Sequence, residues 1–150
     1  MKNGLHSPVV GLDYDGQYFQ ENKFAFYIGT VYFGVNYDYL PVLWDTGTEW
    51  SIVMSHLCSS CSGHATYDYS EEVGTSFFYT PDSNGERNFG SVRTEGFEAK
   101  DYVCLVTGKR VSCTFNQDIF IITKQEGLPN SISGIIGLAP VTETGTNLIN

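Results

Sequence analysis

The apolar positions of this chain form short runs that are separated by polar turn residues. The runs are rich in aromatic and β-branched side chains, which fit the pleated surface of a sheet. No stretch of ten or more residues repeats apolar positions with the spacing of an amphipathic helix. The pattern therefore predicts an all-β fold, with strands over residues 24–34, 39–44, 50–54, 76–80, 87–90, 96–104, 118–123 and 135–136.

Turn residues predict where two of these strands reverse. The segment Pro81–Glu86 contains Asn84-Gly85, a pair that favours the positive-φ turns matching the twist of a hairpin. A hairpin is therefore expected at this segment. A second reversal is expected near residues 91–95, because the next strand-like run begins at Gly96.

The composition agrees with a single β-rich domain. The chain has 150 residues, including 10 Tyr, 10 Phe and 16 Gly. A chain of this length buries roughly 68–70% of its unfolded surface, so it needs no metal or disulfide merely to fold. Residues 1–22 are polar and are interpreted as a leading arm, with one strand around residues 17–20. The tail after Pro140 is the only segment where a helix is expected to begin.

The charge balance argues against several classes of partner. The chain has 8 basic and 17 acidic residues, a net charge of −9, and no basic cluster longer than Lys109-Arg110. Phosphate binding needs a basic surface, so no nucleic-acid partner is expected. No apolar stretch reaches the ~20 residues of a membrane-spanning helix, and Met1–Gly4 leads into no signal-peptide-like segment. No glycine-rich phosphate-binding motif is present, and no cofactor is expected.

The four cysteines favour two disulfides and an oxidising compartment. Cys58 and Cys61 could close a very small loop, and Cys104 and Cys113 flank a predicted turn at residues 107–110, as in a stapled hairpin. Zinc is the alternative. Cys58, Cys61 and His64 have ligand-like spacing, and the other two cysteines could complete such a site. The disulfide interpretation is favoured, with no metal site.

One segment carries candidate chemistry, because the apolar run Leu40–Trp44 ends in Asp45-Thr46-Gly47. Strands avoid Asp and Gly, so the interruption needs a reason. A carboxylate at a strand end can lie in a tight turn whose backbone N–H groups point at it, while the threonine hydroxyl stabilises the loop. Taken alone, the three residues fit an Asx-type turn better than a catalytic site.

Two other enzyme classes are less favoured by the residues. A Cys–His protease would need a single reactive thiol rather than paired cysteines, and the three histidines lie on polar segments, none near a Ser or Cys in a known nucleophile setting. A glycosidase would need two paired carboxylates. The available acid pairs fit solvated faces of an acidic protein better; they are Asp13 with Asp15 and Glu71 with Glu72.

Five segments, taken in order, carry a family resemblance. Tyr27–Gly34 is similar to a Tyr-Phe-Gly-x-Ile-x-Ile-Gly strand, and Val42–Thr48 to a hydrophobic-hydrophobic-Asp-Thr-Gly-Ser/Thr signature. Cys58–Cys61 lies where a small disulfide loop is common. Gly74–Phe77 is similar to Ser-Ser-Thr-Phe, and Ser133–Ala139 to Asp-Gly-Ile-Leu-Gly-Leu-Ala. Together the chain resembles the N-terminal half of the pepsin-like (A1-type) eukaryotic aspartic proteases, from about residue 24 to 140.

This resemblance implies a fold and a mechanism. The fold is a lobe built on a six-stranded-barrel-like double-psi sheet, with a flap hairpin and little helix. In that family two aspartates, one from each half, share a proton and activate a water molecule. Carried over, Asp45 is one catalytic aspartate, with Gly47 offering its N–H and Thr48 its hydroxyl to the carboxylate. Thr46 braces the loop against the other half, and residues 135–137 support it from beneath.

The resemblance also implies a substrate-covering flap at residues 88–96. Its substrate-binding residues are Phe89, Gly90 and Ser91. Phe89 replaces the usual tyrosine, so it can wall a specificity pocket but cannot make the hydrogen bond of the phenol oxygen. Val92-Arg93 stands where small residues are usual at the tip. Because a β-branched residue is unfavourable at φ > 0, the tip is expected to differ in conformation or in register by one residue.

The chain holds one Asp-Thr-Gly, whereas two-lobed members of the family need roughly twice this length. The preferred interpretation is that residues 1–150 are the N-terminal lobe of an aspartic endopeptidase whose C-terminal lobe is missing. A second interpretation is a half that pairs with a second copy, as retroviral proteases do. A third is a non-catalytic module that binds peptides or proteins. A peptide or protein substrate and a secreted, lysosomal or vacuolar location are expected.

Overall fold

A computed structural model of the chain describes residues 13–14, 27–69, 76–107 and 109–140. Within these ranges the chain forms nine strands and no helix, so none of it could cross a membrane as an apolar helix. The predicted strand around residues 17–20 and the predicted helix start after Pro140 lie outside the described residues. The strands are β1 (Asp13–Tyr14), β2 (Tyr27–Phe33), β3 (Asp38–Asp45), β4 (Ile52–Met54), β5 (Phe78–Tyr79), β6 (Gly85–Phe89), β7 (Val92–Thr107), β8 (Arg110–Glu126) and β9 (Gly134–Gly137).

The strands form one sheet that closes into a six-stranded barrel. Its order is β1-β2-β3-β9-β4-β8-β7-β5, and a further pairing of β2 with β7, through Tyr32 and Cys104, closes the barrel. Two of the neighbours are parallel, β3 with β9 and β4 with β8, and each needs a long connection along the chain. The predicted all-β class and the expected barrel are confirmed.

Two hydrophobic clusters pack on opposite faces of the barrel strands. The first, here called the barrel core, takes buried residues from all six barrel strands, including Val31 and Ile136. The second, the cleft-side core, includes Trp50 and Leu128. Successive side chains of a strand point to opposite faces, so the short strand β4 contributes Val53 to the barrel core and its other two residues to the cleft-side core.

The hairpin of β7 and β8 is much longer than the pattern predicted. The predicted strands 96–104 and 118–123 are the inner parts of strands of 16 and 17 residues. Cys104 and Cys113 are direct cross-strand partners and form a disulfide, and the turn between Thr107 and Arg110 lies where it was predicted. Cys58 and Cys61 form the second disulfide. No free cysteine remains, so the zinc alternative loses its thiolate ligands.

The hairpin predicted at Asn84-Gly85 is wrong. Strands β5 and β6, on either side of this pair, both lie antiparallel to β7, so the chain continues in the same direction between them. The Ser83 hydroxyl donates to the Thr80 carbonyl at 2.6 Å and accepts from the Glu98 amide at 2.9 Å. These bonds tie the connection to β7, and this tertiary pairing overrides the local turn preference. The actual reversal is at Gly90 and Ser91.

Candidate active site

Asp45 is the last residue of β3 and lies at the rim of a cleft. Strand β3 runs parallel to β9, and Asp45 is the register partner of Gly137. The residues before Asp45 anchor it, because Val42 is fully buried in the barrel core and Leu43 packs against the cleft-side core. The aspartate itself is half-buried, so its carboxylate can contact a ligand in the cleft.

The turn after Asp45 is held by two local hydrogen bonds. The Gly47 N–H donates to the Asp45 Oδ1 at 2.8 Å. The buried Thr48 hydroxyl oxygen accepts from the Trp50 N–H at 3.3 Å, which stabilises the loop. Thr46 is exposed. The geometry is that of an Asx-type turn that also presents a carboxylate to the cleft.

Strand β9 passes close beneath this turn. The Leu138 N–H donates to the Asp45 carbonyl at 2.8 Å, and the Ala139 N–H donates to the Thr48 carbonyl at 2.9 Å. A Cβ atom on Gly137 would lie 2.7 Å from the carbonyl oxygens of both Thr48 and Trp50, which is closer than real Cβ atoms approach. Glycine at this position therefore allows the turn after Asp45 to rest directly on β9.

The hairpin of β6 and β7 covers the cleft as a flap. Phe89 pairs with Val92, and the two residues between them, Gly90 and Ser91, make the turn, with Gly90 at a φ of 59°. The expectation that Val92 and Arg93 form the tip is wrong, since both belong to β7. Val92 therefore needs no positive φ, because the turn lies before it in the chain. Phe89 and Val92 are half-buried against the cleft-side core.

A cleft of about 850 Å³ lies between the Asp45 turn and the flap. Among the residues that the structure describes, two that carry a carboxyl group line it, Asp45 and Glu49, and its other walls are largely apolar. The cleft brings the Asp45 turn together with Phe89, Gly90 and Ser91, which lie 40 or more positions further along the sequence. The family resemblance had placed these residues in one site. Its lining includes Asp45, Gly47, Thr48, Phe89, Gly90 and Ser91, together with Trp50, Arg87, Leu128 and Ile132.

Sequence reasoning missed Arg87, which lies on β6 in the cleft wall. Its guanidinium carbon lies 4.0 Å from the centre of the Trp50 ring and 4.9 Å from that of Phe120. Its Nη2 also donates to the Glu98 Oε1 at 2.6 Å. The alternation along β6 places Arg87 on the same face as Phe89, and this was the only signal in the sequence. The missed side wall at residues 127–132 carried no recognisable motif.

Unlike the half-buried Asp45, the carboxylate of Asp101 is buried, and it lies away from the cleft. It is 2% exposed and accepts hydrogen bonds from the hydroxyls of Tyr67 and Ser76 and, at 2.7 Å, from the Tyr102 N–H. Burial, followed by the hydrogen bond to Asp101, raises the pKa of the Tyr67 hydroxyl far above its ordinary value. The tyrosine is therefore a neutral donor, and the network supports the barrel rather than the site.

Neither disulfide lines the cleft, and metal-ligand geometry is not found in the part of the chain that the structure describes. There, no three His, Cys, Asp or Glu side chains come close enough to hold an ion. His64 instead lies beside the Cys58–Cys61 loop, and its Nδ1 is 2.7 Å from the Ile132 carbonyl oxygen. His56 lies 3.3 Å from an Asp68 carboxylate oxygen.

An all-β lobe with a closed six-stranded barrel, an Asp-Thr-Gly turn resting on a parallel strand and a covering flap defines the aspartic protease class. The family model described as eukaryotic aspartyl protease matches residues 26–148. Since the match covers most of the chain, the protein belongs to the eukaryotic aspartyl protease family. A comparison with individually curated proteins gave no significant match.

Proposed function

We propose that this chain supplies one of the two catalytic aspartates of an aspartic endopeptidase, and that Asp45 is that residue. The observation that carries the proposal is the position of its carboxylate, which lines a cleft of about 850 Å³ beneath a flap. The Gly47 N–H bonds to one carboxylate oxygen at 2.8 Å, which orients the side chain and leaves the other oxygen for a water molecule. Family membership supports the reaction class.

The proposed chemistry needs a second aspartate opposite Asp45. Two carboxyl groups held close together share one proton, because both cannot be ionised at that distance. The ionised group takes a proton from a water molecule, whose oxygen attacks the peptide carbonyl carbon. The neutral group donates its proton to the developing oxyanion. The tetrahedral intermediate then loses the amine, which leaves with a proton, and a carboxylic acid is formed.

The second aspartate comes from outside the Asp45 turn. The chain contains a single Asp-Thr-Gly, so we propose that it is the N-terminal lobe of a two-lobed protease. A second copy of this chain, related by a two-fold axis, is the alternative source of the partner carboxylate. By itself the 150-residue chain is expected to be inactive unless it dimerises.

The expected substrate is a peptide segment with large apolar side chains. Leu43, Trp50 and Ile135 form an apolar floor, and Phe89 projects from the flap as a wall. In an apolar pocket of this kind, each methylene group that a substrate side chain gains or loses changes its binding free energy by roughly 1–3 kcal/mol. The two disulfides fit an oxidising compartment, which supports a secreted, lysosomal or vacuolar location.

The test is acid proteolysis by the product of the whole parent gene and by the 150-residue chain, with and without pepstatin. Asp45→Asn should abolish cleavage, because an amide cannot act as the base. Asp118→Asn is the matched control, since it makes the same chemical change at a surface ion pair with Lys100, 2.6 Å away, outside the cleft. Cleavage that survives Asp45→Asn, or fails equally in both variants, would refute the assignment.

A peptide-binding module is the second candidate function. It is favoured by Phe89, which lacks the hydroxyl that the flap tyrosine of active members carries, and by the single Asp-Thr-Gly. In that case the chain should bind apolar peptides in a fluorescence titration without cleaving them. Asp45→Asn should then leave binding unchanged, whereas Phe89→Ala should weaken it.

A further inference from the structure

The side wall of the cleft, residues 127–132, lies between the flap tip and the disulfide loop of residues 58–64. On the flap side, Gly127 has a φ of 94°, and a Cβ atom on it would lie 3.3 Å from the Ser91 carbonyl oxygen and 3.4 Å from the Val92 Cα. Arg93 of the flap strand β7 is the register partner of Glu126 of β8, so the wall begins one residue beyond a backbone pairing with the flap. A displacement of the flap strand is therefore passed to the start of the wall, because this pairing joins backbone to backbone.

On the opposite side, Ser60 of the disulfide loop and Gln125 of β8 are joined by hydrogen bonds in both directions. The Ser60 hydroxyl donates to the Gln125 carbonyl at 2.9 Å and accepts from the Gln125 N–H at 2.7 Å. The Gln125 side-chain amide in turn donates to the Ser60 carbonyl at 3.2 Å. Three hydrogen bonds thus join two residues that are 65 positions apart, just before the wall begins.

The same glutamine side chain reaches into the wall. Its Oε1 accepts from the N–H of Leu128 at 3.1 Å, so one amide group bonds both the disulfide loop and the wall. Leu128 is 6% exposed and belongs to the cleft-side core, and it also lines the cleft. The orientation of the Gln125 side chain therefore sets the position from which the Leu128 side chain enters the substrate cleft.

A second link holds the far end of the wall to the same loop. His64 is three residues after Cys61, and its Nδ1–H donates to the Ile132 carbonyl at 2.7 Å. Cys61 is 3% exposed within the cleft-side core, and its disulfide to Cys58 keeps residues 58–64 compact. Both ends of the wall are thus tied to one short, disulfide-closed loop that does not itself line the cleft.

We propose that the Cys58–Cys61 loop sets the geometry of the substrate cleft and of the flap tip, and that Gln125 is the positioning residue that transmits it. For catalysis this rests on the proposed function, because it predicts an effect on peptide affinity. The structural coupling itself does not depend on that function. The path is contiguous, from Ser60 through Gln125 to Leu128 and from Glu126 through its partner Arg93 to the flap, as expected for a physical coupling.

Amide hydrogen exchange of the 150-residue chain, read by NMR, tests the coupling directly. Gln125→Leu removes the side-chain donor and acceptor, so exchange at the Leu128 amide should accelerate about tenfold relative to a barrel-core amide such as Ile121. The amides of residues 90–92 should accelerate with it. Gln125→Glu keeps an acceptor oxygen for Leu128 but loses the side-chain hydrogen bond to the Ser60 carbonyl, so it should restore most of the protection at Leu128 only.

Val31→Ala is the control for a general loss of stability. Val31 is fully buried in the barrel core and lines no part of the cleft. It should lower the melting temperature while leaving the ratio of exchange rates at Leu128 and Ile121 unchanged. Equal changes of this ratio in Val31→Ala and Gln125→Leu, or no change at residues 90–92 in Gln125→Leu, would overturn the proposal.

Reduction provides an independent test on the Cys104→Ala, Cys113→Ala double variant, which keeps only the Cys58–Cys61 disulfide. Dithiothreitol converts this bond to two thiols and is itself oxidised to a cyclic disulfide. Exchange at Leu128 and at residues 90–92 should then accelerate, as in Gln125→Leu. In a cleavage assay of the parent gene product, Gln125→Leu should raise KM several-fold with little change in kcat. An inactive parent product would refute the proposed function, whereas unchanged exchange would refute only the coupling.

Discussion

Replacing Gly137 by alanine tests whether the Asp45 turn rests on β9 as closely as the structure indicates. The added Cβ would lie 2.7 Å from the carbonyl oxygens of Thr48 and Trp50 and 2.8 Å from the Trp50 nitrogen. Ordinary contacts of a carbon atom are about 3.5 Å or longer, so β9 and the turn would have to separate by roughly 0.8 Å. All three atoms belong to the backbone, and no side-chain rotation can relieve the contact.

The expected cost follows from what the separation disturbs. Overpacking of a tight interior typically costs about 1–3 kcal/mol. The hydrogen bonds from Leu138 to the Asp45 carbonyl, 2.8 Å, and from Ala139 to the Thr48 carbonyl, 2.9 Å, would also lengthen. Each such bond contributes roughly 1 kcal/mol. Gly137→Ala should therefore lower the free energy of unfolding by roughly 2–4 kcal/mol, a large part of the 5–15 kcal/mol typical of a domain.

Urea unfolding monitored by tryptophan fluorescence measures this loss, because Trp44 and Trp50 lie beside the turn. Gly85→Ala is the matched control. Its Cβ would meet only the Arg87 Nη1 at 3.4 Å and the Ser83 carbonyl at 4.0 Å, and its φ is not positive, so it should change stability little. A Gly137→Ala protein as stable as the wild type, or no less stable than the Gly85→Ala control, would show that the Asp45 turn does not lie as close to Gly137 as the structure indicates.

Two further predictions concern side chains outside the turn, one half-buried and one buried. Arg87→Met keeps an apolar stem but removes the guanidinium that lies 4.0 Å from the Trp50 ring centre and forms the 2.6 Å ion pair with Glu98. The free energy of unfolding in urea should therefore fall by roughly 1–2 kcal/mol. An unchanged value would mean that these contacts make no net contribution to stability. Tyr67→Phe removes a donor to the buried Asp101 and should cost about 1–3 kcal/mol near neutral pH. Because the folded state raises the pKa of Tyr67, its contribution is complete below the unfolded value of about 10 and is lost as the pH rises above it. Unfolding curves at several pH values should therefore show wild-type stability falling more steeply than that of Tyr67→Phe above about pH 10, and parallel curves would contradict this.

The sequence carried most of the local information about the fold. Alternation in Tyr27–Phe33 and the apolar run before Asp45 predicted strands that the structure contains, because side-chain period is a local property of a strand. The spacing of Cys104 and Cys113 around a turn predicted a stapled hairpin for the same reason. The Asp-Thr-Gly motif, through its family resemblance, pointed to the cleft that the structure places around Asp45.

Predictions failed where a distant strand decided the local conformation. Asn84-Gly85 has the composition of a tight turn, yet it lies in a connection whose flanking strands both pair with β7. Strands β7 and β8 extend well beyond their apolar patterns, because each provides the other with backbone hydrogen bonds along nearly its whole length. The flap turn lies at Gly90 and Ser91 because the pairing of Phe89 with Val92 sets the register.

By itself the sequence determined the strand-rich class, favoured the two cysteine pairs that form disulfides and singled out Asp45 as the candidate carboxylate, since each signal lies in neighbouring residues. Only the tertiary structure decided which residues surround that carboxylate. Arg87 stacks on Trp50, and Gln125 joins the disulfide loop to Leu128, across separations of tens of residues. A period-two pattern states which face a side chain occupies, but not which strand lies beside it, and that pairing is settled by closure of the barrel.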